Sequence, residues 1–314
     1  MNPVIPFICQ LPEIHQQAWL KLLNEALPGE TFVVAEEIES SERLNAKIAI
    51  VANPDPEVLR SFANLEWVQS LWAGVENLID VSVEQGFKLI RLIDPGLAVI
   101  MSEAVLAWIL YLHRRMPTYA NQQQNKVWNQ LVYSPPAECK VGILGLGELG
   151  QVSARRLVDN GFHVMGWSRN SKDIENVESY CGEQGLKEML PQCQILVCLL
   201  PLTDQTREII NRTLLARLPN DASLINFARG PLVAVDDLLL ALDSGHLYHA
   251  VLDVFNREPL EIESRLWQHP SITILPHITA ATHPGTAIKT VAKNIIDYRN
   301  NGEFSSFVDV TRGY

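Results

Sequence analysis

The stretch Val141-Gly-Ile-Leu-Gly-Leu-Gly-Glu-Leu-Gly150 contains three glycines in the spacing Gly145-x-Gly147-x-x-Gly150. An apolar strand-like segment leads into it, and an amphipathic segment from Glu148 to Asn160 predicts a helix after it. In a strand–turn–helix unit the first glycine makes the tight turn, the second lets the backbone approach a pyrophosphate, and the third lets helix and strand pack closely. The pyrophosphate then binds at the positive N-terminal end of the helix. In this context the motif predicts a dinucleotide-binding fold.

The alternative interpretation is a glycine-rich turn that only packs, since this spacing also occurs by chance in loops. The flanking strand and helix favour the nucleotide site. The motif begins near the middle of the chain, so the residues before it must form a separate domain, which we predict to carry the substrate.

Composition narrows the class of protein. The 314 residues are enough for two domains, and 47% hydrophobic with 19% charged residues is ordinary for a globular protein. A net charge of −11 argues against nucleic acid or an anionic membrane as partner, because both require a basic face. The N-terminus lacks the pattern of a signal peptide, and the apolar run 104–112 is too short to span a bilayer, so we predict a cytoplasmic protein.

The cysteines and histidines do not indicate a metal site. Five cysteines without paired CxxC spacing favour free thiols in a reducing compartment. His246 and His249 could pair as ligands, but no cysteine or acidic residue stands at metal-ligand spacing, so we predict no metal.

Short apolar runs alternate with helical segments along the chain, which predicts parallel sheets built from βα units. The predicted strands are 4–9, 31–34, 47–51, 67–71, 88–93, 163–167, 194–200, 223–227, 249–255 and 271–275, and the predicted helices are 13–26, 56–62, 103–115, 204–217, 236–244 and 285–300. Ser102 is the predicted N-cap of the helix from 103 to 115. The polar, glutamine-rich residues 119–136 predict an exposed arm.

The predicted fold class is therefore α/β, with two doubly wound parallel-sheet domains. A Rossmann domain, residues 102–284, is inserted in a flavodoxin-like substrate domain that comprises residues 1–101 and is completed by 285–314.

Three charged residues follow predicted strands of the second domain. These are Arg229, Glu258 and His277. Each alone could be an ordinary cap or surface charge. Because ligands of doubly wound sheets bind at the carboxyl ends of the strands, the three together predict a catalytic site.

Several blocks of this sequence resemble the D-isomer-specific 2-hydroxyacid dehydrogenases. They are Leu71-Trp-Ala-Gly-Val-Glu76, Gly142–Gly150, Leu200-Pro-Leu-Thr203, Asn226-Phe-Ala-Arg-Gly230, Leu252–Pro259 and Pro276-His277. The segments 253–260 and 266–270, with the ending Arg312-Gly-Tyr314, look closer still to the bacterial glyoxylate/hydroxypyruvate reductase A branch. The resemblance is specific from about residue 66 onward and generic before it.

The resemblance implies how a 2-keto acid is reduced. Arg229 would bridge the substrate carboxylate and keto oxygen, and the turn at Ala73-Gly74 would offer backbone N–H groups to the carboxylate. His277 would donate the proton, and Glu258 would orient its ring and favour the charged form. Trp72 stands where many relatives have a small residue, which predicts a pocket for acids of two or three carbons.

The resemblance also implies a set of cofactor contacts. Asp253 matches the position that meets the nicotinamide amide, although a turn or cap role is the alternative. Between Ser168 and Lys172 there is no carboxylate to repel a 2′-phosphate, and Arg169 can pair with it, so we predict NADPH; the alternative is a solvated basic turn. The predicted contacts are Gly145, Leu146, Gly147, Glu148, Leu149, Gly150, Ser168, Arg169, Lys172, Leu200, Pro201, Thr206, Phe227, Ala228, Arg229, Asp253 and His277.

Three hypotheses follow for the function. The first is an NADPH-dependent reductase of glyoxylate and hydroxypyruvate, the second a dehydrogenase of the same fold for another acid such as D-lactate, and the third a dinucleotide-sensing scaffold. The lack of any appended regulatory segment speaks against the scaffold. We also predict a homodimer, in which Trp128 or Leu131 of the arm either reaches the active site of the neighbouring subunit or anchors the dimer contact. The role of the Arg312-Gly313-Tyr314 ending is left open.

Overall fold

The computed structural model describes residues 3–302 and 306–313, so Tyr314 lies outside the described residues. The chain divides into two compact units. Unit 1 comprises Met1–Leu97 and Thr282–Tyr314, and unit 2 comprises Ala98–Ala281. The sequence-based boundaries fall after residues 101 and 284, and the functional role assigned to each unit stays a prediction.

Unit 1 is built on a five-stranded parallel sheet with the strand order β2-β1-β3-β4-β5. This is the flavodoxin-like order of a doubly wound sheet, as predicted. The strands are β1 (Ile5–Cys9), β2 (Phe32–Val34), β3 (Ile48–Ala52), β4 (Trp67–Ser70) and β5 (Lys88–Ile90). The helices are α1 (Glu13–Ala26), α2 (Ser40–Arg43), α3 (Pro56–Arg60), α4 (Ile79–Gln85), the start of α5 (Pro95–His113), and α11 (Pro284–Asn301).

Both faces of this sheet are covered, which explains why its central strands are apolar throughout. All residues of β1 and β3 are buried. Successive side chains point to opposite faces, so that Phe7 belongs to one hydrophobic cluster and Ile8 to another. Helix α11 closes the first face, where the buried amides of Asn294 and Gln69 meet at 2.7 Å.

Unit 2 is built on a seven-stranded parallel sheet with the order β12-β11-β10-β9-β6-β7-β8. The strands are β6 (Lys140–Leu144), β7 (His163–Ser168), β8 (Val177–Cys181), β9 (Ile195–Cys198), β10 (Ala222–Asn226), β11 (Leu247–Leu252) and β12 (Ile272–Ile274). The helices are the rest of α5, then α6 (Met116–Gln124), α7 (Glu148–Asp159), α8 (Gly182–Met189), α9 (Arg212–Leu215) and α10 (Val235–Asp243).

Counted from β6, the order of this sheet is that of a Rossmann fold, with one strand added beside the sixth. The direction of the strand order reverses between β6 and β9, whose residues Leu144 and Cys198 are paired. Ligands of such sheets bind at the carboxyl ends of the strands near this reversal. The glycine motif follows β6 directly and therefore lies at the expected position.

Helix α5 begins at Pro95, eight residues before its predicted start, so the prediction of Ser102 as its N-cap is wrong. The cap is Asp94, whose carboxylate accepts a hydrogen bond from Gly96 N at 2.9 Å, with Pro95 at the first helical position. The Ser102 hydroxyl is buried and donates to Val99 O at 2.7 Å. The start was missed because the segment is apolar on nearly all sides and shows no helical period.

The nineteen residues of α5 are also long and apolar enough to cross a membrane, contrary to the estimate from the run 104–112. Buried core helices of globular proteins meet the same criterion. Met101, Val105, Ile109 and Leu112 are buried in a hydrophobic cluster of unit 2 together with strands β6, β7 and β9. Over these residues α5 packs as a core helix.

Other elements also differ from the sequence-based expectation. The helix predicted over 204–217 is wrong: residues 204–208 form turns, and only α9 is helical because Asn211 begins a new helix by accepting from Thr213 N and Leu214 N. Residues 119–124 of the predicted arm belong to helix α6. The elements β8, α8, α4 and α6 were not predicted, since β8 is a polar, partly exposed edge strand and α4 is short.

Candidate active site

The glycine turn after β6 is shaped by close backbone contacts. Gly145 has a φ of 105°, and a Cβ there would lie 2.8 Å from Leu199 O. A Cβ at Gly150 would lie only 1.8 Å from Gly145 O. Neither position admits a side chain without moving the backbone, so both glycines are required by the fold of the turn itself.

The middle glycine has a different role. A Cβ at Gly147 would meet nothing within 4 Å. Gly147 is the N-cap of α7, and no side chain caps the helix there, so the first N–H groups of α7 have no side-chain acceptor. Open space in front of uncapped N–H groups at a helix N-terminus fits the pyrophosphate of a dinucleotide.

The other predicted residues of this turn differ in exposure. Leu146 is 1% exposed, and Gly166 on β7 makes room for it, because a Cβ there would come within 2.5 Å of a Leu146 methyl carbon. Leu149 is half-buried and packs against the hydrophobic cluster that contains Leu146, whereas Glu148 is exposed in the first turn of α7. At Leu146, only the backbone is available to a ligand.

The loop after β7 contains no carboxylate from Ser168 to Lys172. The Ser168 hydroxyl donates to Asn170 O at 2.8 Å, and the Lys172 N–H donates to Ser179 Oγ at 2.9 Å. Arg169 and Lys172 are both exposed. The loop therefore presents two cations beside the glycine turn, since β6 and β7 are neighbouring strands.

The loop after β9 is organised by Thr206. Its hydroxyl donates to Pro201 O at 2.7 Å and accepts from Thr203 N at 2.8 Å. Leu200 is buried, and Pro201 is half-buried. Of the three predicted cofactor contacts here, Thr206 already uses its hydroxyl to hold the loop.

Strand β10 leads into the loop that carries Arg229. Phe227 and Ala228 are buried, and Arg229 follows with extended backbone. The guanidinium donates from Nη1 to Ala228 O at 2.7 Å. The amide of Asn226 binds this loop twice, at Ala228 N and at Arg229 O.

Gly230 brings the loop after β10 against the loop after β11. A Cβ at Gly230 would lie 2.0 Å from the carbonyl carbon of Phe255 and 2.4 Å from Asn256 N. The backbones of the two loops are thus in direct contact, and this fixes the Arg229 segment relative to the segment that leads to Glu258.

Asp253 has the turn-stabilising role that the sequence left as an alternative. It is 2% exposed, and its two carboxylate oxygens accept from Ile278 N at 2.8 Å and Thr279 N at 2.9 Å. Its carbonyl oxygen also accepts from His277 N at 3.0 Å. These three bonds hold His277 in a left-handed conformation with a φ of 53°, which costs a non-glycine residue about 1–2 kcal/mol. A contact of Asp253 with nicotinamide stays a prediction.

His277 and Glu258 form an ion-pair geometry at the carboxyl end of the sheet. His277 Nδ1 lies 2.7 Å from Glu258 Oε2, and Glu258 Oε1 accepts from Phe255 N at 2.9 Å. The imidazole side chain is 52% exposed. One carboxylate oxygen is thus anchored to backbone and the other fixes the imidazole, which leaves Nε2 as the nitrogen available to a substrate.

The structure therefore brings together Glu258 and His277, two of the three charged residues that the sequence singled out. Arg229 lies at the end of the adjacent strand β10. Sequence reasoning missed the residues that hold them: Asn226, Gly230 and the N–H of Phe255. The signal available was Asn226 two residues before Ala228, the spacing of a side chain that caps its own loop.

The remaining predicted substrate residues lie in unit 1, after β4. Trp72 is half-buried, and its indole meets Trp19 edge to face at a centroid distance of 6.5 Å. The backbone N–H of Trp72 donates to Ser70 Oγ at 3.0 Å. Ala73 and Gly74 continue this bend and are partly exposed.

The two histidines considered as metal ligands have other partners. His246 bonds Asn220 Oδ1 and Leu215 O, both at 2.9 Å, and His249 bonds Thr273 Oγ1 at 2.8 Å. Burial, followed by the charge of His269, lowers the pKa of His249 to about 4. Within the described ranges, no group of three or more metal-ligating side chains occurs.

A Rossmann sheet with a glycine turn, joined to a second parallel α/β unit and carrying a paired histidine and glutamate, defines the class of nicotinamide-dependent oxidoreductases. Residues 106–279 match the model of the D-isomer specific 2-hydroxyacid dehydrogenase, NAD binding domain. The chain belongs to this family, and nicotinamide dinucleotide is its cofactor.

Solved structures agree with this assignment over the whole chain. A D-isomer specific 2-hydroxyacid dehydrogenase from Xanthobacter autotrophicus Py2, in complex with NADPH and MES, is 34% identical with a TM-score of 0.94, covering 100% of both chains. An NADPH-dependent glyoxylate/hydroxypyruvate reductase from Sinorhizobium meliloti, in complex with NADP and sulfate, is 33% identical with a TM-score of 0.90, covering 99% of both chains. A probable 2-hydroxyacid dehydrogenase from Rhizobium etli CFN 42, in complex with NADP, HEPES and L(+)-tartaric acid, is 29% identical with a TM-score of 0.90, covering 100% of both chains.

Proposed function

We propose that this protein is a cytoplasmic NADPH-dependent reductase of small 2-keto acids, converting glyoxylate to glycolate and hydroxypyruvate to D-glycerate. The observation that carries the chemistry is the 2.7 Å pair of His277 and Glu258, at the end of the sheet that holds Arg229. The similarity to a Sinorhizobium meliloti enzyme named for these two substrates supports the choice of acids.

A nicotinamide cofactor held at the glycine turn 145–150 would supply the hydride for reduction of the keto carbon. Arg229 binds the substrate carboxylate and polarises the keto oxygen through its planar fork of donors. His277 donates the proton on Nε2 to the developing alkoxide and becomes neutral, and solvent later restores that proton. Glu258 keeps the ring oriented and compensates the imidazolium charge before transfer.

A role in substrate recognition is proposed for residues 72–74. The backbone N–H groups at Ala73-Gly74 bind the carboxylate, and Trp72 limits the size of the acid. Trp72→Ala would then raise activity on longer 2-keto acids relative to glyoxylate. Because apolar pockets discriminate by only about 1–3 kcal/mol per methylene, the substrate ranking would shift rather than switch.

The preference for NADPH rests on the loop after β7. Arg169 and Lys172 are exposed there, and residues 168–172 contain no carboxylate. A charge-assisted contact contributes about 1.5–3 kcal/mol, which corresponds to roughly ten- to a hundredfold in affinity. NADPH is therefore expected to be preferred over NADH by about that factor.

The test is a panel of 2-keto acids assayed with NADPH and with NADH. We expect turnover of glyoxylate and hydroxypyruvate with NADPH, and loss of most of the cofactor preference in Arg169→Ala with nearly unchanged NADH kinetics. Turnover confined to other acids would favour the second hypothesis, a dehydrogenase for an acid such as D-lactate. No turnover of any acid would favour a dinucleotide-sensing scaffold, and equal efficiencies with both cofactors would refute the role of Arg169.

We further propose that the protein is a homodimer with no nucleic acid or membrane partner. The support for the dimer is the arm of residues 125–135, on which Trp128 is 96% and Val132 99% exposed. Leu131 is only half-exposed, and its N–H donates to the Tyr119 hydroxyl at 3.1 Å. Trp128 is therefore the better candidate to contact a second copy. Trp128→Ala should shift the oligomeric state in light scattering if the arm anchors the dimer.

A further inference from the structure

The loop that carries Arg229 is organised by one buried amide. Asn226 is the last residue of β10 and is 1% exposed. Its Oδ1 accepts from Ala228 N at 3.1 Å, and its Nδ2 donates to Arg229 O at 2.9 Å. Both halves of the side-chain amide are thus hydrogen-bonded to the loop, and a buried polar group paired in this way makes the loop more rigid.

These two bonds bracket the backbone from which the Arg229 side chain departs. The first fixes the peptide before Ala228, and the second fixes the peptide after Arg229. On the far side, Gly230 rests against the backbone of Phe255 and Asn256 with no room for a Cβ. Arg229 is therefore held from both directions, while Asn226 itself is buried beneath the loop.

Asn226 also connects the Arg229 loop to the His277 loop. The carbonyl oxygen of Asn226 accepts from Asp253 N at 3.1 Å, and that of Asp253 accepts from His277 N at 3.0 Å. A chain of hydrogen bonds thus runs from the proposed substrate-binding arginine to the proposed proton donor. A displacement at Asn226 would move the Arg229 backbone first, because the amide bonds that loop directly.

We propose that Asn226 is a positioning residue for keto-acid reduction: its buried amide sets the direction in which the Arg229 guanidinium meets the substrate. The inference rests on the proposed function, in which Arg229 binds the carboxylate and keto oxygen. Asn226 acts through Arg229. The amide supplies both an acceptor and a donor at this position, whereas a carboxylate of the same shape loses the donor.

The first experiment compares Asn226→Asp with Asn211→Asp. Asn211 is a matched control, because its side chain also accepts from backbone N–H groups, at Thr213 and Leu214, and donates to a carbonyl oxygen, that of Glu208. A displacement of about 1 Å at a binding group can cost on the order of a hundredfold in rate. We expect kcat/KM for glyoxylate to fall about ten- to a hundredfold in Asn226→Asp, with NADPH affinity changed less than about threefold, and to stay near wild type in Asn211→Asp.

The second experiment separates positioning from a merely structural effect. In a double-mutant cycle with Arg229→Lys, a residue that acts through Arg229 gives a combined loss clearly smaller than the product of the two single losses. Circular dichroism and the unfolding midpoint establish that each variant folds. If Asn226→Asp does not fold, Asn226→Ser replaces it in the same double-mutant cycle.

The outcomes distinguish the two proposals. A strongly non-additive cycle supports the positioning role. Additive losses, or wild-type kcat/KM in the Asn226 variants, would overturn it while leaving Arg229 as the substrate-binding residue. An unimpaired Arg229→Lys enzyme would instead refute the proposed role of Arg229, and the positioning role with it.

Discussion

Two regions at the carboxyl edge of the unit 2 sheet differ in what they present to a ligand: one presents backbone, the other side chains. The turn at 145–150 has no room for side chains at Gly145 and Gly150 and carries none at Gly147, so that a ligand can meet bare backbone at the start of α7. The loops after β10, β11 and β12 present side chains instead. The buried side chains of Asn226 and Asp253 and the backbone N–H of Phe255 hold the segments of Arg229, His277 and Glu258 by hydrogen bonds. Binding through the backbone requires glycines at a fixed spacing. Chemistry carried out by side chains also requires further residues that hold those side chains in position.

The difference has an energetic side as well. The glycine turn is determined by sterics, since a single methyl group at Gly145 or Gly150 would overlap backbone atoms. The catalytic loops contain an unfavourable conformation at His277, and three hydrogen bonds that Asp253 accepts from the N–H groups of residues 277–279 stabilise it. Substitutions that add side-chain volume should therefore disturb the first region. The second region should be sensitive to the loss of a hydrogen bond or of the proton donor.

The largest expected effect is in the second region. His277→Gln removes the proton donor and leaves an amide of similar size, so turnover of glyoxylate should fall by about 10²–10⁴ at every pH tested. NADPH binding, followed by nucleotide fluorescence, should remain. Turnover within a few fold of wild type would show that another group donates the proton.

The next largest effect distinguishes two glycines of the turn, Gly150 and Gly147. Gly150→Ala places a methyl group 1.8 Å from Gly145 O, so the free energy of unfolding should fall by about 3 kcal/mol. Gly147→Ala meets no protein atom within 4 Å and should leave stability nearly unchanged while weakening NADPH binding. Denaturant unfolding and cofactor titration of both variants check this. Equal destabilisation by the two would contradict the separate roles assigned to them.

The smallest expected effect concerns His249, a buried histidine on strand β11 of the same sheet, rather than the exposed His277. Burial holds the pKa of His249 at about 4, below its ordinary value of 6.5, so the unfolded chain takes up a proton first as pH falls. The free energy of unfolding therefore falls as the pH falls from about 6.5 to about 4, and the loss due to His249 reaches about 2 kcal/mol at pH 5. Acid unfolding of His249→Gln should lack this loss, whereas His15→Gln, at an exposed histidine of α1, should retain it. An unchanged acid profile in His249→Gln would show that His249 does not titrate in this way.

Much of the fold followed from local patterns. The glycine spacing, the apolar strands and the amphipathic helices α1, α7 and α11 were predicted close to their observed bounds, because one buried face gives each a clear period. The start of α5 and the elements β8 and α6 were not, because α5 is apolar on nearly all sides and the others are largely polar. In these segments packing, rather than pattern, selects the structure.

The sequence by itself determined the parallel α/β architecture, the position of the dinucleotide turn and the identity of Arg229, Glu258 and His277 as candidates, because each depends on residue type and spacing along the chain. Only the tertiary structure decided what holds them. Asn226 bonds the Arg229 loop over only two and three residues, so its spacing could be read from the sequence. Asp253 bonding residues 278 and 279, and Gly230 contacting Phe255, are contacts between segments that the chain brings together only on folding. Such contacts leave no periodic signal in the sequence, since hydrogen bonds and close packing depend on where strands end in space.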